Sequence, residues 1–182
     1  MKNNLTFILN FLFHPRQNAS LIPSSVLASK AMLEGINFSS VTSVVELGPG
    51  TGAFTKEVLK RCRPNTKILL IEVEESYIKI LQEQFGDKVI IERASAHFMD
   101  AMLLKHHIEK VDLLISSLPF SLPENIREEL FASIKKHTDS GTIFRFFTYT
   151  PSLMKRIYKN FSIREVSFVL RNIPPLWVYG IN

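Results

Sequence analysis

Short apolar runs recur along the chain at 41–47, 67–72, 88–92, 111–116, 141–148, 162–168 and 173–179, and each has the length of a strand. Between them, 54–60, 75–85, 101–107, 124–137 and 151–158 either carry apolar positions at helical spacing or stand where parallel strands require a crossover. Pro23 followed by Ser24 and Ser25 marks the start of a further helix running to Leu33. Alternating strand and helix signals predict an α/β fold: a seven-stranded, mostly parallel sheet with helices on both faces. No repeat, low-complexity tract or linker divides the chain, so 36–182 reads as one domain.

The segment 1–35 has a different pattern. Leu5, Ile8, Leu9 and Leu12 share one helical face, Phe7, Phe11 and Phe13 widen it, and Lys2 and Arg16 flank it. It is too short to span a bilayer, which takes about twenty apolar residues. As a secretory leader it is interrupted by Asn10 and lacks a small-x-small cleavage site. Two uses remain, packing on the domain's own core and contact with a membrane interface.

Composition fits a single cytoplasmic domain, expected to be monomeric. At 182 residues and 46% hydrophobic content the chain can bury a core without staples, and the lone Cys62 excludes an internal disulfide. His14, His97, His106, His107 and His137 show no ligand spacing, so no metal is expected and the five are placed on the surface. The net charge of +5 is uneven. Lys135, Lys136, Arg145, Lys155, Arg156, Lys159, Arg164 and Arg171 face only Asp139 and Glu165, giving the last quarter about +6. Such a face suits nucleic acid, anionic lipid or plain solvent.

Chemistry enters at Val44-Val45-Glu46-Leu47-Gly48-Pro49-Gly50-Thr51-Gly52, where an apolar strand ends in an acid and a three-glycine turn. Glycines there let backbone approach a ligand, and the following helix points its N-terminus at it. Glu72, about twenty residues on at the end of the second strand, can accept hydrogen bonds from both hydroxyls of a ribose. Gly-x-Gly-x-Gly also occurs in NAD sites and ordinary turns. Glu46 favours a different ligand, because a carboxylate there repels a pyrophosphate and suits a cation. S-adenosylmethionine has an ammonium, a sulfonium and no phosphate.

These residues resemble motif I of the class I S-adenosylmethionine-dependent methyltransferases, and the resemblance implies their Rossmann-like fold. In it Glu46 acts near the methionine amine through the turn, Gly48, Gly50, Thr51 and Gly52 form the cradle, and Glu72 holds the ribose. The fourth strand ends in Ser116-Ser117-Leu118-Pro119-Phe120, where an adenine-N6 methyltransferase carries Asn/Asp-x-Pro-Tyr/Phe. Ser117 is a poor clamp for a conjugated amine, whereas an aliphatic amine has a localised lone pair and needs none.

Along almost its whole length the chain is similar to the bacterial phospholipid N-methyltransferases, which convert phosphatidylethanolamine stepwise to phosphatidylcholine. The likeness covers the segment 15–31 with Ile22-Pro23-Ser24-Ser25, the stretch 44–55, Ser116-Ser117-Leu118-Pro119 and Phe147-Thr148-Tyr149. It ends with Phe168-Val169-Leu170-Arg171-Asn172-Ile173-Pro174-Pro175-Leu176-Trp177-Val178-Tyr179. The rRNA adenine dimethylases share the glycine turn and Leu-Pro-Phe but usually add a C-terminal helical domain.

Two positions depart from the pattern. The family often has Gly-Asp-Ala after the third strand, where this chain reads Arg93-Ala94-Ser95-Ala96, so Ser95 makes a weaker adenine contact with Ala96 against the ring. Ser117 replaces the glycine of Ser-Gly-Leu-Pro and narrows the amine pocket.

The resemblance implies direct in-line transfer, in which positioning and water exclusion are the protein's main tasks. Tyr149 would orient or deprotonate the amine with help from Ser116, which also borders the cofactor. Arg171 would grip the lipid phosphate, and Ser117, Leu118, Pro119, Phe120 and Trp177 would line the acceptor side. The expected partners are a phospholipid and an anionic membrane surface at the inner face of the cytoplasmic membrane. An RNA adenine methyltransferase, a small-molecule methyltransferase and a non-enzymatic S-adenosylmethionine-binding module are the alternatives.

Overall fold

The computed structural model describes residues 22–118, 122–172 and 174–181. Seven strands form one sheet: β1 (Ser43–Leu47), β2 (Lys67–Glu72), β3 (Ile90–Arg93), β4 (Leu113–Ser116), β5 (Ile143–Thr148), β6 (Arg164–Val169) and β7 (Leu176–Ile181). Their order is β3-β2-β1-β4-β5-β7-β6. The pairs among β1 to β5 are parallel, and β7 is antiparallel to both β5 and β6. Every residue of β1 and β4 is buried, as expected of strands covered on both faces. Asp112 fastens these two strands at their entry, accepting hydrogen bonds from the Thr42 amide at 2.8 Å and its hydroxyl at 2.7 Å.

Among the described residues six α-helices cover the sheet: α1 (Ile22–Met32), α2 (Ala53–Arg61), α3 (Glu75–Phe85), α4 (Met99–Lys105), α5 (Glu124–Asp139) and α6 (Pro151–Ile157). On one face Ala28, Met32, Phe54, Val58, Leu81 and Phe85 from α1, α2 and α3 pack on Val44, Leu70, Leu113 and Val178. On the other, Met99, Leu103, Leu130, Ile134 and Met154 from α4, α5 and α6 pack on Val45, Leu69, Leu114 and Phe146. The α/β class, strand count and two-faced cover agree with the sequence pattern. Leu5, Ile8, Leu9 and Leu12, with the rest of 1–21, lie outside the described residues.

Element boundaries differ where turn chemistry overrides hydrophobicity. β3 starts at Ile90 because Gly86–Lys88 forms a 3₁₀ turn entered through Gly86 at φ 52°. β7 starts at Leu176, three residues later than the apolar run, because Pro174 and Pro175 have no amide hydrogen for the ladder. Two histidines expected on the surface are instead largely covered. His106 Nε2, just after α4, lies 2.6 Å from Glu92 of edge strand β3, and His137 Nε2 of α5 lies 2.7 Å from Asp100 of α4, so the first pair ties α4 to the sheet edge and the second ties α5 to α4.

Arg145 of β5 is the largest fully buried side chain. It crosses its antiparallel partner Gly180, donating to the carbonyls of Phe144 at 3.1 Å and Ile181 at 3.2 Å. A Cβ at Gly180 would collide with the Phe144 carbonyl oxygen and the Arg145 guanidinium. Gly180→Ala is therefore expected to destabilise the protein by about 2–3 kcal/mol, a fall in Tm of roughly 5–10 °C by calorimetry. Gly141→Ala, where nothing stands within 4 Å but φ is 90°, should cost about 1–2 kcal/mol through backbone strain alone.

Candidate active site

The strand order reverses between β1 and β4, so a crevice opens beyond their carboxyl ends, the usual ligand position in an open α/β sheet. The β1–α2 turn enters it with Gly48, Gly50 and Gly52 at φ 68°, 55° and 79°. Each glycine meets a different neighbour. A Cβ on Gly48 would lie 2.9 Å from Leu118 Cδ2, and one on Gly52 would strike the Phe85 ring and reach Leu81 Cδ2 at 3.0 Å. At Gly50 nothing lies within 4 Å, so this is the part of the turn open to a ligand. Thr51 and Gly52 follow it into α2, and the Gly52 carbonyl accepts from the Lys56 amide at 2.9 Å.

Two carboxylates stand behind the turn. Glu46, wholly buried in β1, accepts a 2.7 Å hydrogen bond from the Thr55 hydroxyl on Oε2, while Oε1 has no partner. Burial, opposed by the Thr55 hydrogen bond and reinforced by the charge of Glu72, pushes the Glu46 carboxyl up to about 7. Glu72, at the end of β2, accepts from the amides of Val73 at 2.7 Å and Glu74 at 3.0 Å on Oε1. Its Oε2 accepts from the Gly50 amide at 3.1 Å and keeps a free lone pair. Thr55 was not singled out in the sequence; its position nine residues after Glu46, on the first turn of the next helix, is the signal for it.

Ser95 and Ala96 follow β3 beside Glu72, whose carbonyl accepts from the Ala94 amide at 3.1 Å. The Ser95 hydroxyl is already engaged with His97 Nδ1 at 2.8 Å, and Ala96 is buried. After β4, the Ser117 amide donates to the Leu47 carbonyl at 2.9 Å, which anchors the acceptor loop to the start of the glycine turn. Ser116 is buried beside it, and the Ser117 hydroxyl is buried without a hydrogen-bond partner. Pro119 and Phe120 lie outside the described residues.

Tyr149 follows β5 on the α1–α2 face, with its ring edge-on to Phe147 at 5.6 Å. Burial raises its hydroxyl pKa, and a hydrogen bond with the Asn172 side chain opposes that shift. Asn172 is itself buried and donates to the Pro174 carbonyl at 2.6 Å. The β6–β7 turn thus brings Asn172 beside Tyr149, a proximity that sequence reading missed although Asn172 sits in the distinctive Leu-Arg-Asn-x-Pro-Pro stretch. Arg171 is exposed in the same turn. Trp177 is not brought to Tyr149: it pairs with Thr148, faces the opposite side of the sheet and stacks on Phe168 at 4.6 Å. Among the described residues no three His, Cys, Asp or Glu side chains form a metal-binding group.

Open backbone at Gly50, an unpartnered oxygen on Glu46 and the free lone pair on Glu72 suit a cationic nucleoside without phosphate. Fold and crevice together define a class I S-adenosylmethionine-dependent methyltransferase, with S-adenosylmethionine as its cofactor.

The chain belongs to the methyltransferase domain family, whose model matches residues 44–141. It is 31% identical to the ornithine lipid N-methyltransferase of Singulisphaera acidiphila over 98% of this chain and 95% of that protein. To the ribosomal RNA small subunit methyltransferase A of a Sulfurihydrogenibium species it is 35% identical, over 56% of this chain and 38% of that protein. Solved structures share the fold at low identity. The chain is 14% identical to a SAM-dependent methyltransferase from Aquifex aeolicus, over 86% of this chain and 90% of that one, with TM-score 0.58. The glycopeptide N-methyltransferase MtfA complexed with S-adenosyl-L-methionine is 12% identical over 86% and 92%, with TM-score 0.59.

Two measurements test the carboxylates. The folded state holds a proton on Glu46 between pH 4.5 and about 7 that the unfolded chain has released, so stability falls as pH rises through that window. Glu46→Gln should flatten this slope and stabilise the protein at pH 8 by about 1–3 kcal/mol in denaturant titration. Glu72→Ala should weaken S-adenosylmethionine binding by about 1–3 kcal/mol in calorimetry, since it removes an acceptor and frees the Gly50 amide.

Proposed function

We propose that this enzyme transfers methyl groups from S-adenosylmethionine to the primary amine of a membrane aminolipid, in one or more successive rounds. The observation that carries the reading is the 31% identity, over nearly the full length of both chains, to an ornithine lipid N-methyltransferase. The partial matches to ribosomal RNA methyltransferases cover less than half of those proteins. The acceptor loop supports the same reading, because Ser117 offers an unpartnered hydroxyl where a base-modifying enzyme needs an amide or carboxylate clamp.

Phosphatidylethanolamine is the acceptor that the sequence resemblance implies. Ornithine lipid is a second reading, favoured by the named relative. Both offer an aliphatic amine that must lose its proton before it attacks, and proximity to the sulfonium lowers its pKa. In this reading Glu46 and the turn residues Gly48, Gly50, Thr51 and Gly52 hold the methionine end. Glu72 takes the ribose, while Ser95 and Ala96 border the adenine. Tyr149 orients the amine, with Ser116 and Ser117 lining its path beside Leu118. Arg171 meets the lipid phosphate, a contact that only phosphatidylethanolamine of the two would use. S-adenosylmethionine supplies the electrophilic methyl group; the side chains align donor and acceptor and exclude water.

No helix among the described residues is long and apolar enough to cross a membrane. Peripheral attachment at the inner face of the cytoplasmic membrane, with 1–35 as a cap on the catalytic domain, completes the proposal.

Purified protein, S-adenosylmethionine labelled in its methyl group, and mixed micelles of either aminolipid should give lipids heavier by one or more methyl groups in mass spectrometry. Tyr149→Phe should lower kcat by about tenfold or more while S-adenosylmethionine affinity stays within about twofold. Transfer to RNA oligonucleotides with no transfer to either lipid would overturn the reading.

A further inference from the structure

The described surface has an apolar edge that the catalytic crevice does not use. On α1, Val26 and Leu27 are 42% and 38% exposed, although Ala28, Ala31 and Met32 of the same helix are buried in the core. Across from them, just beyond the end of edge strand β6, Leu170 is 68% exposed. A groove of about 520 Å³ runs between the two elements, lined by Leu27, Lys30, Ala31, Ser167 and Val169, with Arg61 and Glu34 at its polar end. Lys30, one turn beyond Val26 and Leu27, and Arg171, next to Leu170, put exposed cations at both sides of the apolar residues. Large side chains exposed on two adjoining elements, with flanking cations, have the two components that reversible attachment to a lipid surface requires.

We propose that the α1–β6 edge is a docking surface for an anionic membrane: Val26, Leu27 and Leu170 enter the interface while Lys30 and Arg171 meet acidic head groups. The proposal deepens the lipid-methylation reading and rests on it for its biological purpose. Three features favour a membrane over a second copy of the chain. The cations on the rim would face each other in a symmetric pair. Strand β6 has a register shift between Glu165 and Ser167, which bends it away from flat edge-to-edge pairing. The edge also leads towards the glycine-turn crevice, since Leu170 is two residues from buried Asn172, whose side chain lies beside Tyr149. Docking there places the mouth of the acceptor side within about 7 Å of chain from the interface.

The test is co-sedimentation of the full chain with vesicles of phosphatidylcholine alone or with about one-third phosphatidylglycerol. The parent should bind the anionic vesicles and release them at high salt. Val26→Glu combined with Leu170→Glu should reduce binding by about tenfold or more while S-adenosylmethionine affinity is unchanged. Leu104→Glu, at a residue 79% exposed on α4 across the sheet, should bind as the parent does. If the double glutamate variant fails to fold, Val26→Ser with Leu170→Ser is read in the same assay.

Unchanged vesicle binding by the double variant, an equal loss in Leu104→Glu, or no binding by the parent would overturn the proposal. So would a parent dimer that becomes monomeric in the double variant on ultracentrifugation, which makes the edge an interface between copies. A parent that binds anionic vesicles through this edge yet methylates no aminolipid would sink the activity reading and leave the docking surface standing.

Discussion

The β1–α2 turn must pass between two walls that leave no space for a side chain, and the arrangement of the site follows from that confinement. Gly48 lies against Leu118 of the loop after β4, and Gly52 lies against Phe85 and Leu81 of α3. Because both contacts are made by missing Cβ atoms, the turn, the acceptor loop and α3 hold one another in a single position. The Leu47 carbonyl strengthens the join by accepting from the Ser117 amide. Cofactor cradle and acceptor loop are therefore one mechanical unit, and a side chain added at either glycine displaces both. Dense interiors relax only in part around such an insertion.

Electrostatics sets the second constraint. A buried carboxyl with an unpartnered oxygen is costly, and Glu46 stands at the centre of the sheet with only Thr55 to satisfy it. Glu72 adds to the cost by repulsion, which raises the Glu46 pKa further. A cationic ligand reverses the balance, since it stabilises the ionised form of both groups. Stability is given up in the free protein and recovered on binding, the usual pattern for strained or frustrated functional sites. Ser116, Ser117 and Tyr149 differ in kind, since they bring hydroxyls and no carboxylate; under the lipid-amine reading, none of the three would hold the amine as an ammonium.

Much of this was legible in the sequence because strong local signals carried it. The runs at 67–72 and 75–85 coincide with β2 and α3, and the glycines after Glu46 could serve only as a tight turn. Glu72 was placed by its distance from the glycines. What the sequence did not show was face and partner. Tyr149 and Trp177 are both near strand ends, yet one faces α1 and the other the opposite layer, because antiparallel insertion of β7 sets the register. Asn172 comes beside Tyr149 across 22 intervening residues, and no periodicity reports such a contact. His106 and His137 were misplaced for the same reason, their carboxylate partners being brought up by other elements.

Topology also explains why a hairpin at the far edge bears on the crevice. β7 is antiparallel to β5 and β6 is antiparallel to β7, so β6 runs in the same direction as β1, β2, β4 and β5. Its carboxyl end, with the turn at 170–172, therefore lies at the same end of the sheet as Ser116 and Tyr149. A lipid amine is tethered to the interface by its acyl chains, so under the lipid-amine reading the protein must bring its crevice to the membrane. The antiparallel hairpin places buried Asn172 beside Tyr149 and exposed Leu170 at the surface within one short turn, so under the lipid-amine reading that turn would join docking to reaction.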